Sequence, residues 1–381
     1  MNSRERLIKV LRGEIPDHVP VAPDTSNMIP ARLTGLPFWD LYLYNHIPIW
    51  KAYIDCVKHF GFDSLMDGYI YVRFDDLGDI DHAWENDWIE CIVFRDEERI
   101  VTQKYLPKHN AKQWADVVCV YYAANPPDTY VHPHKVNLPL VPDKYEVLTG
   151  VTKWPEGEAL IKLAKQEMGN HGLVGVASGT SILVGGEQQI YDYFDDPDSF
   201  IKNRDKSLEY FKKRFYKLMS LENKPDFICT GGSGTMIFQT EEMFRTLALP
   251  IVKEITSLCK QFGIPSHIHS CGPETNLVKI CAEETDLTVI DPLEIAPMGD
   301  CDLKELKRLY GKKLVLKGNL HTVNVMLNGT TKDVIEASKK AIDDAAEGGR
   351  FILSTGDQCG RDTPDENIFA MVETAKTYGK Y

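Results

Sequence analysis

PDFICTGG (residues 225–232) and PSHIHSCG (residues 265–272) open a series of short apolar runs in the second half of the chain, and this series decides the fold. The series continues with LTVIDPLE (287–294), KKLVLKGNL (312–320) and RFILSTGD (350–357). Amphipathic stretches of helical length separate the runs, an alternation typical of β/α units around a parallel sheet. Similar but weaker runs occupy residues 19–24, 62–68 and 173–179. Eight such strands predict an α/β fold, a (β/α)8 barrel of the TIM type.

One region interrupts this alternation. Residues 88–105 (WIECIVFRDEERIVTQKY) alternate apolar and polar residues on both sides of a charged turn, which predicts an antiparallel β-hairpin. Residues 112–142 are rich in Pro, Tyr and His and show no clear period. We therefore predict a single domain over residues 1–381, with residues 84–148 as a hairpin and loop excursion from the barrel.

Capping residues mark two of the helices in the second half. Asp302 is predicted to start a helix that ends at Gly311. In the sequence TPDE, Thr363 is predicted to cap the last helix, with Pro364 in its first turn and Glu366 completing a capping box.

The composition limits the classes of function. The 381 residues include 43 Lys and Arg against 56 Asp and Glu, a net charge of −13, and no basic block indicates a nucleic-acid partner. No apolar run approaches the roughly 20 residues that a membrane helix needs, so we expect no membrane association. Nine scattered cysteines are not typical of a disulfide framework, so we expect reduced thiols and a cytoplasmic location.

Polar side chains follow several predicted strands, at the edge where barrel enzymes carry their active sites. Three carboxylates at this edge, Asp24, Asp67 and Asp357, are candidate catalytic groups, although polar residues at strand ends also cap loops. Ser233, in the glycine-rich segment TGGSGT, and Asn319 are candidates for hydrogen bonds to a substrate. The aromatic residues that either line a substrate pocket or pack in the core are Trp39, Tyr42, Tyr44, Trp50, Tyr69 and Tyr71.

A metal site is predicted around His269 and Cys271. Residues two apart on a strand point to the same side, so this imidazole and this thiolate can hold one ion. Cys359, which follows the predicted strand 350–357, can supply a third ligand. Glu294, at the end of the predicted strand 287–294, can supply a fourth. One imidazole and two thiolates suit Zn²⁺, and three protein ligands leave a position for substrate. The alternative is that the cysteines pack as small apolar side chains, and His267 is assigned to packing against helices.

Four segments resemble the uroporphyrinogen decarboxylase superfamily. They are RERLIKVLRGEIPDHVPV (4–21), IPSHIHSCG (264–272), KGNLHT (317–322) and CGRDTPDENI (359–368). Their order matches over essentially the whole chain. The resemblance implies a (β/α)8 barrel, and the superfamily includes both decarboxylases and zinc-dependent methyltransferases that work with corrinoid proteins.

The two branches differ in residues that this chain has or lacks. The decarboxylases carry an arginine-rich M-R-Q-A-G-R stretch that pairs with the carboxylates of the porphyrinogen, whereas the matching stretch here, VAPDTSNMIPARLTG, has only Arg32. The methyltransferases have H-x-C and a distant Cys as zinc ligands, which the resemblance assigns to His269, Cys271 and Cys359, with Glu294 near a carboxylate ligand. The resemblance also implies a corrinoid (cobalamin) carried by a partner protein.

The resemblance therefore predicts a zinc-dependent methyltransferase that moves a methyl group between a small substrate and a corrinoid protein. The aromatic residues favour a methoxylated aromatic compound, or a similar O-methyl donor, as that substrate. The alternatives are a methylcobamide:thiol methyltransferase, a uroporphyrinogen-type decarboxylase and a non-catalytic member of the superfamily.

Overall fold

The computed structural model describes residues 1–66, 70–108 and 111–381, except for the side chain of Asn86. The helices are α1 Ser3–Leu11, α2 Met28–Leu33, α3 Phe38–Tyr42, α4 Ile49–Phe60, α5 His82–Asp87, α6 Gly157–Met168, α7 Glu187–Asp195, α8 Pro197–Ser220, α9 Thr235–Phe238, α10 Glu241–Met243, α11 Leu249–Phe262, α12 Thr275–Glu284, α13 Leu303–Tyr310, α14 Thr331–Ala345 and α15 Asp365–Thr377. The strands are β1 Ile89–Arg95, β2 Arg99–Lys108, β3 Ala111–Tyr122, β4 Asp128–Val131, β5 Glu146–Val147, β6 Gly175–Ala177, β7 Phe227–Cys229, β8 Ser266–His269, β9 Val289–Asp291, β10 Val315–Leu320 and β11 Phe351–Thr355. None of these helices is long and apolar enough to cross a membrane.

The chain divides into two compact units. The first unit comprises residues 1–26, 54–71 and 161–381, and the second comprises residues 27–53 and 72–160. The predicted excursion, residues 84–148, lies within the second unit. The single domain over the whole chain stays a prediction.

The first unit is built on a parallel sheet. Among the described residues this sheet has six strands in the order β6-β7-β8-β9-β10-β11, so neighbours in sequence are neighbours in space. Parallel bridges join Val21 to Leu353 and Ile70 to Val176, one at each side of the sheet. The predicted α/β fold with a parallel sheet is confirmed. Part of the predicted strand 62–68 lies outside the described residues, and closure of the sheet into a barrel stays a prediction.

Apolar side chains at the starts of the strands form the core of this unit together with α1. α1 buries the side chains of Leu7, Val10 and Leu11, and they pack in one cluster with residues that begin the strands, including Phe227 and Val289. Since the interior strand residues are fully buried, polar groups within them need partners inside the protein.

The second unit is built on an antiparallel sheet with the strand order β4-β3-β2-β1-β5. β1 pairs with β2 as the predicted hairpin, which is therefore confirmed. The sequence did not predict β3, which occupies most of the first half of residues 112–142. Only Val118 and Val120 among its side chains are buried against Val101 of β2, and the remaining residues, which are half-buried or exposed, show no apolar alternation.

The two predicted helix starts have different outcomes. Asp302 caps α13 as predicted, because its side chain accepts a hydrogen bond from the N–H of Glu305 at 3.0 Å. The prediction for Thr363 was wrong, since Pro364 stands at the capping position of α15 and no side chain caps that helix. Thr363 is fully buried, and its side chain interacts with the thiol of Cys359.

Candidate metal centre

His269, Cys271 and Asp357 come together at the carboxyl-terminal edge of the parallel sheet. His269 is the last residue of β8, and Cys271 follows two residues later. Each of the three residues offers one ligand atom, and these atoms all lie within 4.8 Å of one another. The structure thus brings the predicted H-x-C pair together with a carboxylate that the sequence placed at the end of another strand.

Asp357 reaches this group from the segment after β11. Its Oδ1 lies 3.6 Å from Nε2 of His269, and its side chain is 30% exposed, so the group is open to solvent on one side. Its backbone φ is 120°, a value that residues other than glycine rarely adopt and that is common at functional sites. An imidazole, a thiol and a carboxylate are all zinc ligands, so this donor set fits Zn²⁺.

The side chains behind His269 were not predicted from the sequence. Asp291, at the end of β9, is fully buried, and its Oδ1 accepts hydrogen bonds from Nδ1 of His269 at 3.2 Å and Nε2 of His267 at 2.9 Å. Its Oδ2 is paired with the ammonium of Lys317. Packing of His267 against helices was therefore the wrong assignment, because residues two apart in a strand face the same side.

These contacts decide the charges in the buried cluster. Burial alone would raise the pKa of Asp291, but the charges of Lys317, His267 and His269 outweigh it and hold that pKa well below its usual value. Burial alone would lower the pKa of His267, but the Asp291 carboxylate outweighs this effect and raises that pKa to about 10. The cluster is thus a carboxylate anion surrounded by N–H donors.

Two glutamates lie close to the group. Glu294, a predicted ligand, accepts a hydrogen bond from the N–H of Gly272 at 2.5 Å, and burial and the Asp357 carboxylate raise its pKa. Glu274, which the sequence analysis missed, is fully buried and accepts from the N–H of Leu293 at 2.6 Å. Burial and the nearby Asp291 carboxylate raise the pKa of Glu274 well above its usual value.

Cys359, the predicted third ligand, lies outside the 4.8 Å group formed by described residues. It is fully buried, and its N–H donates to the carbonyl oxygen of Asp24 at 2.9 Å. Burial and the Asp24 carboxylate raise the pKa of the Cys359 thiol to about 12. Asp24 itself is buried and accepts from the N–H of Ser26 at 2.7 Å. The roles of Cys359 and Asp24 stay predictions.

The remaining predicted site residues are dispersed. Ser233 is exposed, and Asn319 uses its side-chain amide to donate to the carbonyl oxygen of Leu293 at 3.0 Å. Asp67 and Tyr69 lie outside the described residues. Among the aromatic residues, Trp50 packs edge-on against Trp154, with ring centres 5.8 Å apart, the packing role that the sequence analysis had left open.

Residues 216–378 match the family described as Uroporphyrinogen decarboxylase (URO-D). This segment contains β7 to β11 and the three residues of the candidate metal centre. It also contains the buried cluster of His267, Asp291 and Lys317. It is therefore a URO-D family domain, and the resemblance found in the sequence is confirmed.

Two curated relatives are similar over a shorter segment. The Methylcobamide:CoM methyltransferase MtbA of Methanosarcina mazei is 33% identical over 139 residues, which is 36% of this chain and 37% of that protein. The protein of the same name from Methanosarcina acetivorans is 33% identical over 137 residues, with the same coverage. The similar segment thus spans little more than a third of the length of each relative.

A solved structure supports the fold over the whole chain. The structure described as a methyltransferase from Methanosarcina mazei superimposes with a TM-score of 0.60 and covers 99% of both chains, at 14% sequence identity. At this identity the likeness shows a shared fold.

Proposed function

We propose that this chain transfers a methyl group between a small substrate and a corrinoid carried by a partner protein, and that the transfer depends on zinc. The observation that carries the proposal is the group of His269, Cys271 and Asp357 within a URO-D family domain. The similar segment of two methylcobamide:CoM methyltransferases supports the reaction class. A reducing, cytoplasmic setting belongs to the proposal, because Cys271 binds zinc only as a free thiolate.

His269 and Cys271 would hold the zinc ion, with a further ligand from the segment that carries Asp357 and Cys359. Glu294 is the proposed fourth ligand when no substrate is bound. Bound zinc would supply a Lewis acid that stabilises negative charge on the oxygen or sulfur that loses or receives the methyl group. Asp24, Asp67 and Asp357 are the proposed residues that orient a substrate, with Ser233, Asn319 and Tyr69 as further contacts.

Two classes of small substrate fit this reaction. In transfer to a thiol, the Co–C bond breaks, the sulfur supplies the electron pair of the new S–C bond and gives its proton to solvent, and cobalt(I) remains. In transfer from an aryl methyl ether, cobalt(I) supplies the electron pair, the C–O bond breaks and the oxygen takes up a proton. We propose the thiol as the substrate class, because the names of both relatives specify CoM and Trp50 packs against Trp154.

We also propose that the parallel sheet closes into a (β/α)8 barrel through residues 19–24 and 62–68. The bridges at Val21 and Ile70 support it, and the N–H of Asp63 donates to the carbonyl oxygen of Val21 at 2.7 Å. In such a barrel the metal centre would occupy the edge where barrel enzymes carry their active sites.

The ligand assignment is tested by the metal content of Cys359→Ala. We expect the variant to lose most of its bound zinc and to keep its fold, because His269 and Cys271 sit at the end of an intact strand. Zinc content by atomic emission and far-UV circular dichroism are the measurements. Cys281→Ala is the matched control, since Cys281 is equally buried but lies on α12. A zinc content that stays unchanged in Cys359→Ala removes Cys359 from the ligand set.

The reaction class is tested with free cobalamin and zinc-loaded protein. Methylcobalamin is mixed with small thiols, and cobalt(I) cobalamin with aryl methyl ethers, while the visible spectrum is followed. We expect a spectral change with the thiols that Cys271→Ser abolishes. A spectral change with the aryl methyl ethers alone would identify an ether, rather than a thiol, as the substrate. No change with either class would contradict methyl transfer and favour the decarboxylase.

A further inference from the structure

Asp291 is a fully buried carboxylate that is engaged at both oxygens. Oδ1 accepts hydrogen bonds from His267 and His269, at 2.9 and 3.2 Å. Oδ2 accepts from the ammonium of Lys317, which is also fully buried. Because each oxygen has a donor on a different side, the carboxylate is held in one orientation.

This orientation determines which nitrogen of His269 faces the group. A neutral imidazole carries one N–H, so when Nδ1–H donates to Asp291, Nε2 carries the lone pair. Nε2 is the nitrogen that lies 3.6 Å from the carboxylate of Asp357. The lone pair therefore points to the side where the ligand atoms of Cys271 and Asp357 lie.

We propose that Asp291 is a positioning residue of the candidate metal centre. Its hydrogen bond fixes the tautomer and the ring orientation of His269, while Lys317 and His267 fix Asp291 in turn. This inference rests on the proposed function, in which His269 binds zinc. Mutation of the group that accepts the one N–H of a metal-binding histidine typically weakens metal binding about 10- to 100-fold.

The tautomer is measured on the zinc-free wild-type protein by ¹⁵N NMR of the histidine side chains, with His269→Gln to identify the signals. We expect the neutral ring of His269 to carry its proton on Nδ1 and none on Nε2. This measurement needs neither zinc nor an Asp291 variant, so it decides the proposal even if such a variant does not fold. A His269 ring without a proton on Nδ1 overturns the proposal.

The effect on the metal is measured as the zinc dissociation constant, by competition with a chromophoric chelator. We expect Asp291→Asn to bind zinc about 10- to 100-fold more weakly than the wild type. Asp63→Asn is the matched control. Asp63 is also buried in the first unit, where it pairs with Arg6 at 2.5 Å and accepts from the N–H of Val21. Its zinc affinity should stay within about twofold of the wild type.

The outcomes separate the positioning role from the proposed function. If the wild type binds zinc and folded Asp291→Asn binds it equally well, the positioning role is wrong and the metal centre stands. If Asp63→Asn weakens zinc binding as much as Asp291→Asn, the effect is a general loss of stability, and the positioning role is again overturned. A wild-type protein that binds no zinc overturns the metal centre itself and the positioning role with it.

Discussion

Asp226 is a buried carboxylate at the start of β7, at the edge of the sheet opposite the candidate metal centre. Arg4 contacts both of its oxygens, at 2.6 and 2.8 Å, and Lys165 contacts it at 2.9 Å. The N–H of Val174 donates to it as well. Burial alone would raise the pKa of Asp226, but the hydrogen bonds from Arg4 and Lys165 prevail and lower it. The ionised form is therefore stabilised in the folded state.

The lowered pKa predicts a dependence of stability on pH. The contribution of Asp226 to the free energy of unfolding is present above the unfolded-state pKa of about 3.9, and it is lost as the pH falls through the lower folded-state pKa. We expect Asp226→Asn to lower the free energy of unfolding by about 2 kcal/mol at pH 7, since both cations are partly exposed. The difference from the wild type should shrink below pH 4.

Urea unfolding at pH 7 and at pH 3 measures this difference. Asp205→Asn is the control, because Asp205 is exposed and pairs with Arg204 at the surface, and we expect a change within about 0.5 kcal/mol. A loss for Asp226→Asn that is the same at both pH values would show that the charge of Asp226 is not its source.

Among individual residues, the sequence predicted those whose proximity follows from their spacing along the chain. His269 ends β8 and Cys271 follows two residues later, so their proximity could be inferred without the fold. Asp291 and Lys317 depend on the register between β9 and β10, which the sequence does not specify. The sequence feature that could have identified them is a charged residue inside an otherwise apolar run, as in VIDP for Asp291 and LVLKG for Lys317.

The packing of β6 on β7 depends on a glycine. Gly175 pairs with Phe227 across the two strands, and a Cβ at Gly175 would lie 2.2 Å from the aromatic ring. Since Phe227 is itself buried in the core, the ring has little space to move.

We expect Gly175→Ala to lower the free energy of unfolding by about 1–3 kcal/mol, because the added methyl group overpacks the core. Adding Phe227→Leu should recover part of this loss, with a coupling energy of at least about 0.5 kcal/mol. Denaturant unfolding of the two single variants and the double variant measures the coupling. Gly360→Ala is the control, because a Cβ there meets no atom within 4 Å. Additive effects would contradict the steric explanation.

Helices and strands were predictable where a single local sequence pattern determined them. The runs that form β6 to β11 are rich in apolar residues because these strands are buried, and Asp302 caps α13 by a contact three residues away. Thr363 shows the limit of such patterns, because tertiary packing beside Cys359 removed it from its expected cap. β3 was missed because most of its residues are partly exposed and no alternation marks them.

At the scale of the whole molecule, the alternation of runs predicted the order of the parallel strands, whereas the sequence carries little information on closure. Among the described residues, a single bridge at Val21 lies within the first run, and a single bridge at Ile70 follows the second run. Their pairing therefore depends on side chains such as Asp63, whose Oδ2 accepts from the N–H of Val21 at 2.8 Å.

Barrel closure predicts a slowly exchanging amide at Asp63, because its N–H donates to the carbonyl oxygen of Val21 at 2.7 Å. We expect its hydrogen exchange to be as slow as that of Ile228, an amide within the sheet that donates to Pro265. NMR of the protein in D₂O measures both rates in one sample. Exchange of Asp63 at the rate of an exposed loop would contradict closure.

Two hydrogen bonds join parts of the chain that are synthesised far apart in time. The N–H of Asp24 donates to the hydroxyl of Thr355, 331 positions later, and the hydroxyl of Ser26 donates to the carbonyl oxygen of Cys359, 333 positions later. At about 5–20 residues per second, a ribosome makes these partners roughly 20–60 s after the first segment. During that interval the apolar side chain of Val21 lacks its neighbour Leu353. The apolar side chain of Val21 thus stays without this neighbour until translation is nearly complete, and a metal ion at the candidate centre would bind only after the segment that carries Asp357 has been made.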